Sequence, residues 1–279
     1  MEYPDIDYKR LVQNIRTELE TYLKENNLKA LVLGMSGGID STITAALAQP
    51  VCEKLGVELI GRSIAIGTNK QDEIDRGADA GKAFCTRFDA VDLTDTFNDM
   101  VEGMFVNQGP QETDIDFRIR LGNMKARIRM IYLYNLAQKY KGMVLSTDNK
   151  TELLLGFWTL HGDVGDYGMI QNLWKTEVYG LANYLAGLYG VDGDTYKVLK
   201  DAIDAIPTDG LGVTGSDLEQ LGVDTYAEVD DILKRLTEED YLFNETEYRT
   251  NPVIQRHIRT KFKRENPYNI PERILRKGI

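Results

Sequence analysis

The segment Gly34-Met35-Ser36-Gly37-Gly38-Ile39-Asp40-Ser41-Thr42 constrains this chain more than any other. It follows the apolar run Ala30–Leu33 and precedes an Ala-rich stretch from Ile43 to Leu47, the pattern of a strand, a glycine turn and a helix N-terminus. Such a turn gathers backbone N–H groups beside the positive end of a helix dipole, where phosphate binds. The Lys of a Walker loop is missing, and Gly-x-x-x-x-Gly-Lys-Ser/Thr cannot be fitted. In its place stand Ser36 and Ser41, whose hydroxyls can bond phosphate oxygens, and Asp40, a carboxylate suited to Mg²⁺. The same run spells Gly-x-Ser-x-Gly, the nucleophile elbow of α/β-hydrolases. That reading wants several strands ahead of the serine and a triad histidine after it. One helical segment precedes the first strand here, the histidines are His161 and His257, and Asp40-Ser41-Thr42 would go unexplained.

Periodicity extends the pattern. Leu11, Ile15, Leu19, Tyr22 and Leu23 share one face of a helix over 7–24. Strands are expected at 30–33, 57–66, 87–91 and 143–145, and helices after the glycine turn to about 55 and at 70–84, 94–106 and 116–140. Alternating strands and helices imply right-handed crossovers and a doubly wound parallel sheet with ligands at the carboxyl ends of its strands. Ser36 and Ser146-Thr147-Asp148 both fall at such ends and can meet one nucleotide. Beyond Leu173 the pattern is helical, clearest at 175–188 and 230–237, with a glycine-rich, mobile loop expected over 207–222. One α/β domain over 1–279 with a helical C-terminal part suffices.

Charge excludes some partners. The chain of 279 residues carries 44 acidic and 33 basic side chains, a formal net charge of −11. That disfavours a nucleic acid, which wants a basic face. The C-terminus does cluster Arg256, Arg259, Lys261, Lys263 and Arg264, either a solvated tail or a local phosphate clamp. Cys52 and Cys85 build neither a disulfide framework nor a metal site, so a reducing, cytoplasmic setting is expected. No run approaches a membrane span.

Ser-Gly-Gly-Ile-Asp-Ser over 36–41 resembles the pyrophosphate-binding loop of the N-type ATP pyrophosphatases, Rossmann-like enzymes of the adenine nucleotide α hydrolase type. Three further segments are similar to those of NAD synthetases within that superfamily. Asn123 to Met130 resembles Asn-x-x-Ala-Arg-x-Arg-Met, which lies beside the pyridine nucleotide and implies substrate contacts for Asn123 and Arg127; a solvated basic face is the alternative. Ser146 to Glu152 resembles Gly-Thr-Asp-His/Asn-x-x-Glu, implying that Thr147 contacts ATP and that Glu152 joins Asp40 on Mg²⁺; helix capping by Asp148 or Asn149 is the alternative. His161 to Val178 resembles Gly-Asp-Gly-Gly-x-Asp followed by Leu-x-Lys-x-x-Val, implying that Asp163, Asp166 and Lys175 surround the reacting carboxylate and ammonia. Phe262-Lys263-Arg264 is similar to the C-terminal His-Lys-Arg, making Lys263 a cation for the phosphates.

The resemblance thus implies ATP-dependent amidation of nicotinic acid adenine dinucleotide, with Gly34, Ser36, Gly37, Gly38, Asp40 and Ser41 cradling ATP and Asp40, Asp163 and Lys175 at the chemistry. It also implies a homodimer. Glutamine-dependent members carry an added amidase domain for which there is no room before residue 30, so free ammonia is the expected nitrogen source. Departures fall at Leu160, where the family has Lys, at Ser63, where it has Arg, and in a Gly-Asp loop one residue short. They make nicotinic acid mononucleotide the alternative acid, with another adenylating enzyme of the pyrophosphate-loop superfamily as the further alternative.

Overall fold

The structure, a computed structural model, describes residues 4–67, 70–207, 216–238 and 243–275. Its elements in chain order are α1 (Tyr8–Glu25), β1 (Ala30–Gly34), α2 (Ile39–Leu55), β2 (Glu58–Ala65), α3 (Gln71–Phe84), β3 (Arg87–Asp92), α4 (Thr94–Gly103) and α5 (Asp114–Lys139). They continue with β4 (Gly142–Ser146), α6 (Lys150–Leu155), β5 (Tyr167–Gly168), α7 (Lys175–Gly187), α8 (Asp194–Asp204), α9 (Asp217–Leu221) and α10 (Tyr226–Thr237). Four short helices follow, α11 (Glu245–Thr250), α12 (Pro252–Arg259), α13 (Lys261–Arg264) and α14 (Glu272–Leu275).

The five strands are all parallel, in the order β3-β2-β1-β4-β5. β1 lies in the middle, and Ala30, Leu31, Val32 and Leu33 are fully buried, as a strand covered on both faces requires. Leu31, Leu33, Ile43, Leu47 and Leu59 pack into a core with α1, α2 and α7 on one face. On the other face Ala30, Val32, Ile60 and Val144 meet Leu136 and Ala137 of α5. The chain reverses its winding between β1 and β4, whose registers pair Ala30 with Gly142 and Val32 with Val144. That switch point opens a crevice beyond the strand ends.

Two differences from the periodic reading have physical causes. Thr113 caps α5 by accepting the Asp116 N–H at 3.1 Å, which starts the helix two residues earlier than apolar spacing alone indicates. β5 is a two-residue strand paired with Leu145 and Ser146, too short to leave a period. α2 also contains Pro50, which has no N–H for the Ala46 carbonyl. Arg16 of α1 fills the gap, Nη2 donating to Ala46 O at 3.2 Å and Nε to Leu47 O at 3.3 Å. Half of the segment 207–222 expected to be mobile, residues 208–215, lies outside the described residues.

A second apolar cluster, with Leu155, Trp174, Val229, Leu233 and Ile254, binds the C-terminal helices to α6 and α7. Asp230 of α10 ties it together, accepting the Thr151 hydroxyl at 2.5 Å and the Thr176 N–H at 2.9 Å. Burial pushes the Asp230 carboxyl above its ordinary range, against those two hydrogen bonds. A folded-state pKa above the unfolded one means stability present at low pH is lost as pH rises through the folded value. Asp230→Asn removes this titration while keeping an oxygen acceptor. The stability difference between variant and parent, measured by urea unfolding, should move in the variant's favour as pH rises above the ordinary carboxyl pKa of about 3.9. A difference constant with pH would show that the carboxylate carries no burial cost.

Candidate active site

The glycine turn leaves β1 at its carboxyl end and enters α2 with Gly38 as a cap lacking any side-chain bond to the first-turn N–H groups. Those donors stay available to an anion. Gly37 sits at φ +81°, where an added Cβ would lie 2.4 Å from the Glu73 carbonyl oxygen and 2.9 Å from the Gly77 nitrogen. Only glycine lets the turn lie this close on α3. Ser36 Oγ and Ser41 Oγ are 3.1 Å apart, and Ser36 Oγ also accepts the Gly38 N–H at 3.3 Å. No histidine is bonded to Ser36 among the described residues; His257 Nδ1 meets Leu154 O at 3.0 Å and His161 Nε2 meets Asn266 at 3.4 Å. A nucleophile elbow has no base here.

Opposite the turn, β4 delivers Ser146 to Asn149. Asn149, not Asp148, caps α6, forming a capping box with Glu152. Its Nδ2 donates to Asp40 Oδ1 at 2.9 Å. Lys175, the first residue of α7, reaches in with Nζ 2.5 Å from Asp40 Oδ2 and 2.8 Å from Glu152 Oε1. It is 2 % exposed, its backbone N–H bonds Thr151 Oγ1 at 2.9 Å, and Tyr226 lies beneath the ammonium, 5.5 Å to the ring centre. Two carboxylates thus share one buried ammonium. Burial pulls Lys175 down, but Asp40 and Glu152 together hold it well above its ordinary range. Burial and the Asp40 charge push Glu152 up to about 7 despite the ammonium. Lys175, expected beside the reacting carboxylate, lies between the two expected metal ligands and lines the same cavity as Asp163.

Asp163 approaches from the turn after α6. Its Oδ1 accepts the Thr159 N–H at 2.7 Å, and Thr159 Oγ1 donates to Asn123 Oδ1 at 2.7 Å, so α5 and the turn are fixed to each other. Asp163 is solvent-accessible through the cavity it lines, and the protein walls around it raise its carboxyl by desolvation against the pull of Thr159, Lys263 and Arg129. Burial raises Asp148 well above its ordinary range too, with Glu152 and Asp163 adding to the shift.

A cavity of about 520 Å³ joins these groups at the strand ends. Gly34, Ser36, Gly38, Asp40, Ser41, Asn123, Thr147, Glu152, Asp163, Lys175 and Lys263 all line it. Gly37 lies just behind, against α3. Lys263 does not hang free: its Nζ donates to Gly156 O at 2.7 Å and to Trp158 O. Arg127 and Asp166 fall outside the cavity wall. Arg127 is exposed and donates from Nε to Leu160 O at 3.2 Å. Asp166 accepts the Tyr134 hydroxyl at 2.6 Å and the Val144 N–H at 3.3 Å, on the outer edge where β5 begins. Arg129, two residues beyond Arg127 and so about 200° round the helix, lines the cavity instead and donates to Ile64 O at 3.1 Å. Asp148, expected at the strand end, is a wall residue, as is Arg76, which no spacing argument singled out.

A glycine turn and a carboxylate–ammonium cluster facing each other across the switch point of a parallel sheet define a nucleotide-binding α/β protein. The family model described as NAD synthase matches residues 11–267. The chain belongs to the NAD synthase family. It is 33 % identical over 234 residues to the NH3-dependent NAD+ synthetase of Methanocaldococcus jannaschii, covering 81 % of this chain and 80 % of that one. It is 30 % identical over 256 residues to the Finegoldia magna protein of the same description, covering 91 % and 92 %. Among solved structures, an NMN synthetase from Francisella tularensis superimposes with a TM-score of 0.77 at 25 % identity, covering 96 % of this chain and all of that one.

Proposed function

We propose that the chain amidates nicotinic acid adenine dinucleotide to NAD, using ATP and ammonia and releasing AMP and pyrophosphate through an acyl adenylate. The observation that carries this is the convergence on one cavity of the phosphate-ready glycine turn, the Asp40–Glu152–Lys175 cluster and Asp163. A carboxylate is inert to ammonia. Its oxygen must first attack the α-phosphorus of ATP, breaking the bond to the β-phosphate. The first-turn N–H groups of α2, with Ser36 and Ser41, hold the departing pyrophosphate. Ammonia then attacks the activated carbonyl carbon, the bond to AMP breaks, and Asp163 takes the proton.

Asp40 and Glu152 fit Mg²⁺. Both put a carboxylate oxygen on one nitrogen, hence within one small ion's span, and hard carboxylate oxygens completed by phosphate and water are what Mg²⁺ takes. Among the described residues no three His, Cys, Asp or Glu side chains gather round one point, which suits an ion shared with a substrate. Mg²⁺ bound there supplies charge neutralisation to the phosphates.

The chain works as a single domain and as a cytoplasmic homodimer. Exposed Met104 and Phe105 at the end of α4 are adjacent apolar side chains that a second copy would cover. No helix among the described residues is long and apolar enough to cross a membrane. Likeness to the NMN synthetase structure favours a second reading, the same chemistry on nicotinic acid mononucleotide. Incubation with ATP, Mg²⁺, ammonium and each acid in turn, following pyrophosphate and amide, decides the substrate. No turnover with either acid would remove both readings.

A further inference from the structure

We propose that Arg76 of α3 grips the β- and γ-phosphates of ATP and then the pyrophosphate product, supplying the cation that the glycine turn lacks in its own sequence. The inference rests on the amidation reading, which makes pyrophosphate the leaving group. The nearby cations are already committed. Lys175 is shared by Asp40 and Glu152, Lys263 by two carbonyls, and buried Arg62 by Asp89 at 2.9 Å and Gly61 O at 2.7 Å.

Arg76 stands differently. The backbone of Glu73 and Gly77 on its helix packs directly against Gly37, and Arg76 Nε donates to the Gly37 carbonyl at 3.3 Å. Nη1 pairs with Asp72 Oδ2 at 2.8 Å, while Nη2 takes no partner among the described residues. The side chain lines the same cavity as Ser36, Gly38 and Ser41. Asp72 is 65 % exposed, so its charge is screened by water and leaves most of the arginine field on the cavity. The guanidinium is therefore held on one side by the turn it serves and keeps a spare donor on the other. A planar fork with fixed N–H groups suits adjacent phosphate oxygens better than a flexible ammonium.

The test is calorimetric titration of pyrophosphate, with magnesium chloride present, into the parent, Arg76→Gln and Arg76→Lys, alongside AMP titrations, thermal melts and steady-state kinetics. Arg76→Gln should bind pyrophosphate about tenfold to a hundredfold more weakly, the loss expected for one charge-assisted contact. The KM for ATP should rise, while AMP affinity and the KM for the pyridine acid stay as in the parent. Arg76→Lys should keep part of the pyrophosphate affinity. Undiminished pyrophosphate binding by Arg76→Gln overturns the assignment. An equal loss of AMP and pyrophosphate with a lowered melting temperature also overturns it, since Arg76 would then only brace the turn. Titration needs no turnover, so a parent protein that binds pyrophosphate but amidates neither acid would sink the amidation reading and leave this assignment intact.

Discussion

Replacing Lys175 with Met is expected to cut turnover by about 10³-fold and to remove about 3–5 kcal/mol of folding stability at neutral pH. The side chain fits the space, but the substitution leaves Asp40 and Glu152 facing each other with no countercharge in a site where Lys175 is 2 % exposed. Breaking a buried ion cluster by removing one partner costs far more than the cluster's net worth, because the remaining charges cannot regain water. Three elements feel the loss: α2 through Asp40, α6 through Glu152 and α7 through Lys175 itself. Urea unfolding gives the stability, and pyrophosphate release gives the turnover. The double variant Lys175→Met, Glu152→Gln should recover part of the stability and none of the activity, since one of the two stranded charges is gone but the ligand set is not restored. A single variant within about 1 kcal/mol of the parent would show that the cluster does not hold these helices together.

What could be read in the sequence, and what could not, follows from how far each signal reaches. The glycine turn is a local signal, as its glycines and hydroxyls lie within a few residues of the strand and helix they join. The sheet was equally legible, because each strand of the central three is long enough to show its apolar run. The pairing of Lys175 with Asp40 was not legible, since the two are 135 residues apart and no spacing connects them. Asp166, matched to a Gly-Asp loop that is one residue short, bonds Tyr134 and Val144 just before the Tyr167–Leu145 pairing, a contact that no local motif encodes. Arg129 and not Arg127 lines the cavity, because a segment with two arginines 200° apart can send only one inward. Arg76 carries no motif. Its place is set by the contact between Gly37 and α3, a property of tertiary packing alone.

Asp163→Asn should separate the two halves of the reaction. Formation of the amide is expected to fall by about 10²–10⁴-fold, the range for a lost general base, while acid-dependent exchange of labelled pyrophosphate into ATP continues near the parent rate. The reason is geometric. The carbonyl oxygen of an asparagine still accepts the Thr159 N–H that Oδ1 accepts at 2.7 Å, so the turn and its link to Asn123 survive. On the proposed mechanism the variant lacks the proton acceptor for the ammonia step, and the glycine turn, Asp40 and Glu152 are left to carry out adenylation. The pH profile gives an independent readout. Desolvation raises the Asp163 carboxyl above its ordinary range, and a general base works in its ionised form. With free ammonia held constant, the parent's amidation rate should climb with pH through a value above the usual aspartate pKa of about 3.9 and then level. Asp163→Asn should lack that limb. If exchange and amide formation collapse together, Asp163 serves adenylation or binding, and some other group must take the proton from ammonia.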